Sequence, residues 1–541
     1  MSAYAGTGRL VRLAARRDRI QLPIWILASA AMMSAGTSAV ADEFPTEASR
    51  ITALQGAGSS PAVLVMRGVP VGSDLGALVN FRNLASILVV VALMSTFAVV
   101  RHTRQNEETG RAELIGAGAV GRHAPLTAAL VLVFAANVLF GAAMTGTILA
   151  SGLPAEGALA FGAACAVTGL AFAGIAGVAA QLFQGARAAN GFAASAVGVF
   201  YLVRGIGDAL GERSADGLTV TPSWLSWLSP LGWGGLVRPY GQERWWVLAL
   251  PLVLFAVCVA AAFALVDRRD LGAGLIPDRP GPAHASRGLL SPLGLAWRLN
   301  RGSTIGWVIG GAVFGLGIGS LGKTVQDALG TNAGVVEMME GLAGSGGPDL
   351  VAIFFAAMMN TYGALAAGFV IQALLRLRSE EVGGTAEAVL ATAVGRVRWV
   401  GSHVACAVAG AAVMLVLAGA FTGLADAASG GDVGVLTLAG AGLAQLPAAL
   451  VVAGVVVLAF GGLPRLAVGL AWGMLVLSIA CGLFGDLFGL PQVVRDLSPF
   501  THVPAIPAVD PSATPLLALT AVAVALTAAG MALFRRRDLA T

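Results

Sequence analysis

Apolar runs of about twenty residues recur along this chain with few charges inside them. That length is what a helix needs to cross a hydrocarbon core of ~30 Å. The runs predict spans at 20–40, 81–100, 124–150, 155–180, 190–208, 245–266, 303–322, 350–375, 399–424, 435–460, 464–488 and 514–534. Composition points the same way. Hydrophobic residues make up 57% of the chain and charged residues 11%, where a soluble domain carries about 25% charged residues. The expected fold class is all-α, a polytopic transmembrane helical protein of about twelve spans.

The net charge of +4 is small and unclustered, which excludes a nucleic-acid-binding surface. Basic residues sit in short patches between apolar runs, where they anchor cytoplasmic loops. With the N-terminus inside, arginines in the inner segments outnumber basic residues in the outer ones by about three to one. This predicts both termini in the cytoplasm and a multi-pass protein of the cell (plasma or inner) membrane. The stretch Ala39-Val40-Ala41 resembles a signal-peptide cleavage site. Retention of the first span is the expectation, because cleavage would leave an odd number of spans. Cys165, Cys258, Cys406 and Cys481 each fall inside a span, without CxxC or Cys/His spacing. They read as small core residues and not as a disulfide framework or metal site.

The chain repeats itself. Arg16, Arg19 and Trp25 match Arg298, Arg301 and Trp307 at one offset. Ala53-Leu54 matches Ala328-Leu329 in the outer segments. After the second span of each half, Glu107-Glu108-Thr109-Gly110-Arg111-Ala112-Glu113 leads to Gly121-Arg122. Its counterpart Glu380-Glu381-Val382-Gly383-Gly384-Thr385-Ala386-Glu387 leads to Gly395-Arg396, with one extra residue between Glu381 and Glu387. Ser229-Pro230 and Ser498-Pro499 precede the last spans, and Arg268-Arg269-Asp270-Leu271 and Arg536-Arg537-Asp538-Leu539 close the halves. The expected organisation is a six-span half at 1–266, a cytoplasmic linker at 267–290, and a second six-span half at 291–541. Six is even, so the repeat is parallel, related by a pseudo-two-fold axis along the membrane normal. A basic stretch precedes each half, at 9–19 and 295–301. Each is either a helix in the headgroup plane or a plain positive flank.

Few motifs carry chemistry. Residues Gly317 to Thr324 match the P-loop pattern GxxxxGK[ST] around the single lysine, Lys323. A phosphate cradle must follow a strand and open a helix, whereas this stretch ends an apolar helical run. Gly311, Gly315 and Gly319 share one helix face, which suits close helix packing. Arg204, Asp208 and Asp486 lie near outer span ends, and no ionisable site stands out near the midplane, where ion-coupled transporters place one. No catalytic arrangement and no metal-ligand spacing are evident. The two Glu-Glu loops are the informative polar segments. Carboxylates near the start of a short helix and arginine near its end suit the helix dipole, and a duplicated helix offers two equivalent docking contacts.

The Glu-Glu-x-Gly…Glu loop after the second of six spans resembles the coupling region of type-2 ABC transporter permeases, and the basic stretches resemble their elbow helices. Two six-span halves in one chain look like the large actinobacterial permeases of polyketide-antibiotic or tetronasin-type exporters. The resemblance implies two copies of a separately encoded ATP-binding subunit, which would hold ATP and Mg, while this chain holds no cofactor and is not an enzyme. It implies export of a hydrophobic small molecule: an antibiotic, a drug or a lipid-like compound. Coupling to the ATP-binding subunit would fall on Glu107, Glu108, Gly110, Glu113, Gly121, Arg122, Glu380, Glu381, Gly383, Glu387, Gly395 and Arg396. A substrate pathway between the second and fifth spans would carry Met94, Ser95, Phe97, Phe200 and Tyr201. In the second half it would carry Phe354, Met358, Asn360, Tyr362, Trp472 and Met474. An ion-coupled secondary transporter, or an intramembrane lipid-modifying enzyme, is the alternative. The topology has a direct test. Thr109→Cys and Thr385→Cys label only from the cytoplasm and Gly330→Cys only from outside; labelling of Thr109→Cys and Thr385→Cys from opposite faces would refute a parallel repeat.

Overall fold

The computed structural model of the protein describes residues 2–276, 281, 283–323, 326, 350–482 and 491–539. Thr324, Ala328, Leu329, Gly330 and Asp486 lie outside them. The chain forms two compact units, Met1–Pro280 and Gly281–Thr541. In the first, the helices are α1 (Thr7–Arg17), α2 (Gln21–Glu43), α3 (Glu47–Ser59), α4 (Pro61–Arg67), α5 (Leu75–His102) and α6 (Arg104–Glu108). They continue with α7 (Arg111–Gly116), α8 (Ala124–Ala150), α9 (Ala155–Leu182), α10 (Ala186–Ala209), α11 (Pro230–Leu236) and α12 (Ala249–Val266). The second unit holds α13 (Pro292–Gly319), α14 (Leu350–Val382), α15 (Thr385–Leu390), α16 (Arg396–Ala428) and α17 (Val435–Leu443). It ends with α18 (Leu446–Gly462), α19 (Ala467–Gly482), α20 (Gln492–Arg495) and α21 (Ala513–Arg536).

Among the described residues, 11 helices are long and apolar enough to cross a membrane. The protein is an all-α polytopic membrane protein. The span expected at 464–488 is represented by α19, whose 16 residues reach about 24 Å, and the rest of that range is not described. The span at 435–460 is broken into α17 and α18 at Ala444-Gln445. Pro447, in the first turn of α18, offers no N–H and crowds the preceding turn, so the helix restarts there. Among the described residues, a small sheet pairs β1 (Glu212–Arg213) antiparallel with β2 (Val220–Thr221).

In the first unit α5 and α9 form the centre, with α2, α8, α10 and α12 packed around them. In the second, α14 packs on α16 and α18, α16 on α13, and α18 on α21. Small residues set these distances. A Cβ on Gly141 of α8 would lie 2.5 Å from the Gly162 carbonyl oxygen of α9. The stripe on α13 behaves alike: a Cβ on Gly315 would lie 2.4 Å from the Ala418 carbonyl oxygen of α16. Backbones that approach this closely gain packing that lipid tails cannot supply.

The basic stretches differ between the units. In the first, α1 is a separate helix with Ala14 buried and Arg9, Arg12 and Arg16 exposed. It stops at Asp18, a buried residue whose carboxylate meets His102 Nε2 at 2.6 Å and Arg101 at 3.2 Å. In the second, residues 295–301 run straight into α13. At the offset that pairs Arg16 with Arg298, Asp18 corresponds to Asn300, whose amide donates to Ala296 O at 3.0 Å inside its own helix. There the helix continues unbroken through Asn300.

Gly315→Leu forces a side chain into the α16 backbone, an overpacking that costs typically about 1–3 kcal/mol. Gly310→Leu, on the same helix with nothing within 4 Å, serves as the control. Thermal unfolding of the purified chain is expected to fall for Gly315→Leu alone; equal melting of both variants would contradict the packing.

Candidate functional site

The loop after α5 begins at Thr103, whose hydroxyl donates to Val99 O at 2.7 Å and whose backbone leaves the helix. Arg104 then turns fully inward. Its Nε donates to Ala180 O of α9 at 2.9 Å and one Nη to the Glu107 carboxylate at 2.8 Å. Glu107 is held from the other side by Arg269, just beyond α12. Arg269 Nη1 and Nη2 donate to its two oxygens at 2.8 and 2.6 Å. The Gly272 N–H adds a fourth bond at 3.2 Å. Arg269 Nε donates to Gln181 Oε1 at 2.8 Å. Gly110 follows at φ 70°, where a side chain would be strained, and turns the chain into α7. Beyond α7, Arg122 donates to Val266 O and Arg269 O, both at 2.7 Å. The first is a carbonyl at the end of α12, where the last turn has no intrahelical partners, and the second lies just beyond that helix.

The second unit repeats this arrangement. Arg378 donates to Glu381 at 3.2 Å. Arg537, just beyond α21, donates through Nη1 and Nη2 to the two Glu381 oxygens at 2.6 and 2.9 Å. Gly384, at φ 73°, opens α15. Arg396 donates to Phe534 O at 3.2 Å and to the Arg537 carbonyl. Arg537 also lies over the Phe460 and Phe534 rings, 5.2 and 5.1 Å from their centroids. Each unit thus carries the same clamp, a fork-to-fork Arg–Glu pair closing the loop onto the end of its last long helix.

The clamp corrects the register read from sequence. Glu107 corresponds to Glu381, Gly110 to Gly384, Glu113 to Glu387 and Gly121-Arg122 to Gly395-Arg396, all at one offset. No residue is inserted. Gly383 is not the turn glycine, and Glu380 lies one position before the clamp, bonded to Arg376 at 2.9 Å. Glu108 corresponds to Val382, and its carboxylate accepts from the Ala186 N–H at 3.1 Å, capping α10.

The side chains of Glu107 and Glu381 are 9% and 1% exposed and face their own units. They fix the loop helix and do not project from it. The exposed groups are Glu113 and Leu114 on α7 and Glu387 on α15. Arg104, Arg378, Arg269, Arg537 and Gln181 were not singled out by sequence as site residues. Arg269 and Arg537 were legible as matches between the halves, and carboxylates three residues after Arg104 and Arg378 were a signal that could have found those two.

The pathway candidates fall into different settings. Met94 is buried in the first unit's core, and Ser95 is buried and receives a hydrogen bond from Asn137 at 2.9 Å. Tyr362 is buried against Thr422, 2.8 Å between hydroxyls. Phe200, Tyr201, Phe354 and Met358 pack at the edges of these cores, and Tyr201 donates to Met66 O at 2.6 Å. Asn360 has a buried carbonyl oxygen with no hydrogen-bond partner among the described residues. Phe97 and Met474 are half-buried and Trp472 is exposed. Gly317 to Gly319 of the P-loop match lie inside α13, so their backbone is helical and forms no phosphate cradle. Asp208 is paired with Arg204 at 3.1 Å.

The fold and the duplicated clamp define a polytopic helical membrane protein, and comparison identifies its family. Residues 289–535 match the C-terminal domain of the multidrug efflux system permease Rv1217c. Over 541 residues, 99% of this chain and 96% of the relative, the sequence is 41% identical to the multidrug efflux system permease protein Rv1217c of Mycobacterium tuberculosis. The chain belongs to this family of multidrug efflux permeases.

Removing one member of a buried ion pair leaves the other charge unpaired, at a cost of about 3–5 kcal/mol. Glu381→Gln is therefore expected to destabilise the chain strongly, and Glu381→Gln with Arg537→Gln by less than the two single changes summed. Glu387→Gln, on the exposed face, is expected to leave melting unchanged. Additive losses in the double variant would show that the pair is not coupled.

Proposed function

We propose that this chain is the membrane-spanning subunit of an ATP-driven ABC exporter that moves hydrophobic small molecules, drugs or antibiotics of polyketide type, out of the cell. ATP and Mg would bind on two copies of a separate ATP-binding subunit. The two six-span halves share one orientation about an axis along the membrane normal, with both termini in the cytoplasm of a cell-membrane protein. The single observation that carries this reading is the duplicated clamp. A loop that merely joined two spans would have no need of an ion pair to its unit's last helix, preserved through duplication at one register. Two equally mounted short helices, each with an exposed glutamate at its third position, suit a dimeric soluble partner that must push on both halves. The printed name of the relative supports efflux of drugs, and the membrane-spanning helices of both units supply the pathway.

The test reverses the exposed carboxylates and leaves the clamp intact. Glu113→Arg with Glu387→Arg is expected to reduce co-purification of the ATP-binding subunit and to abolish substrate-stimulated ATP hydrolysis, with membrane insertion unchanged. A charge-assisted hydrogen bond contributes about 1.5–3 kcal/mol, so a loss of affinity of ten-fold or more is expected from the pair. Each single change is expected to do less. Normal assembly, stimulation and drug efflux in the double variant would refute docking at these helices.

A further inference from the structure

The first unit holds a cavity of about 810 Å³ beneath the loop, walled by α1, the α6–α7 segment, the start of α8 and the end of α12. Five arginines line it (Arg16, Arg17, Arg111, Arg122 and Arg269) against two carboxylates, Glu107 and Asp270. Glu107 is already taken by Arg104 and Arg269. Arg122 serves the α12 carbonyls. That leaves Arg16 and Arg111 with no carboxylate or carbonyl partner among the described residues, and Arg17 bonded only to the neutral Asn106 side chain at 2.6 Å. The remaining wall is apolar, formed by Leu10 and Leu13 of α1, Ile115, Leu126 and Val266.

We infer that this cavity binds an anionic phospholipid of the adjoining leaflet, with its phosphate between Arg17 and Arg111 and its acyl chain along Leu10, Leu13 and Leu126. Three observations converge on that occupant. Cationic groups outnumber carboxylates in the lining, and Arg16 and Arg111 have no partner among the described residues, so an anion relieves their mutual repulsion. Burial, and then the neighbouring Arg111 and Arg101 charges, hold the Arg17 pKa below its ordinary value, against a smaller opposing pull from Asp18. The apolar wall excludes a purely polar anion as the best fit and matches an amphiphile. Finally, α1 is amphipathic, with Arg9, Arg12 and Arg16 exposed, and a helix of this kind lies at the headgroup level, where basic groups attract anionic lipid. The volume falls within the roughly 300–1,000 Å³ of small-molecule pockets, room for a headgroup and part of one chain. The site does not depend on which partner powers the permease, and it is built from residues of one unit.

The test uses the full chain, purified in a neutral detergent and titrated with phosphatidylglycerol, phosphatidylcholine, inorganic phosphate or sn-glycerol 3-phosphate, with bound ligand counted by native mass spectrometry. Phosphatidylglycerol is expected to be retained over phosphatidylcholine, and the two free phosphates to bind weakly and not displace it. Arg16→Gln with Arg111→Gln, both exposed and outside the clamp, is expected to weaken phosphatidylglycerol binding by about ten-fold or more at about 1 kcal/mol per arginine, with phosphatidylcholine unaffected and melting unchanged. Arg17→Gln is a second, independent variant with the same expected direction. Equal binding of phosphatidylglycerol by wild type and both variants would overturn the site. Displacement of the lipid by inorganic phosphate at matching concentration would overturn the lipid in favour of a free anion.

Discussion

A buried glutamate gripped by both nitrogens of an arginine fork is the interaction on which each unit's loop depends. Taking a carboxylate and a guanidinium out of water costs several kcal/mol per ion. The cost is offset only where geometry is good and the remaining donors and acceptors are satisfied. Here the fork is bidentate, a second arginine completes the carboxylate in each unit, and a backbone N–H adds to it in the first; in the second, Arg537 Nε has no hydrogen-bond partner among the described residues and the guanidinium lies instead over two aromatic rings. The partners are 162 positions apart in the first unit and 156 in the second. The clamp is therefore a tertiary constraint that joins the loop at the end of α5 or α14 to the end of its unit, and it can form only once the intervening helices have packed.

Arg122 and Arg396 complete that constraint from the opposite side. Helix ends leave carbonyls without intrahelical partners. In each unit an arginine from the far end of the loop supplies donors to those of the last long helix. The loop helix is thus fastened at both its shoulders, by Glu107 and Arg122 in one unit and by Glu381 and Arg396 in the other. Glu113 and Glu387 on its outer face are exposed, so that face is separate from the part that holds the unit together.

The spans were legible because lipid imposes one length and one polarity, and α8 begins and ends where the apolar run predicts, at Ala124 and Ala150. The loops were legible as repeats but not as clamps. Arginine beside a span serves topology in many proteins, and nothing in Arg269 or Arg537 distinguishes a topological charge from a structural one until its partner is placed. The register error had a local cause. Gly383 and Gly384 are adjacent, and only a positive φ at Gly384 shows which one turns the chain. The break after α1 was equally hidden, since Asp18 and Asn300 differ by one atom group in sequence and by a buried His102 partner in the fold.

The two loops are mounted differently, and the difference has a mechanical meaning. In the second unit Glu381 sits inside α14, a continuous helix of 33 residues about 50 Å long. In the first, Glu107 sits in α6, separated from α5 by the non-helical backbone of Thr103. A bending load entering at Gly384 would run along one unbroken helix, whereas one entering at Gly110 would cross the non-helical backbone of Thr103 before it reached α5. The two loops are thus carried on supports of unequal stiffness.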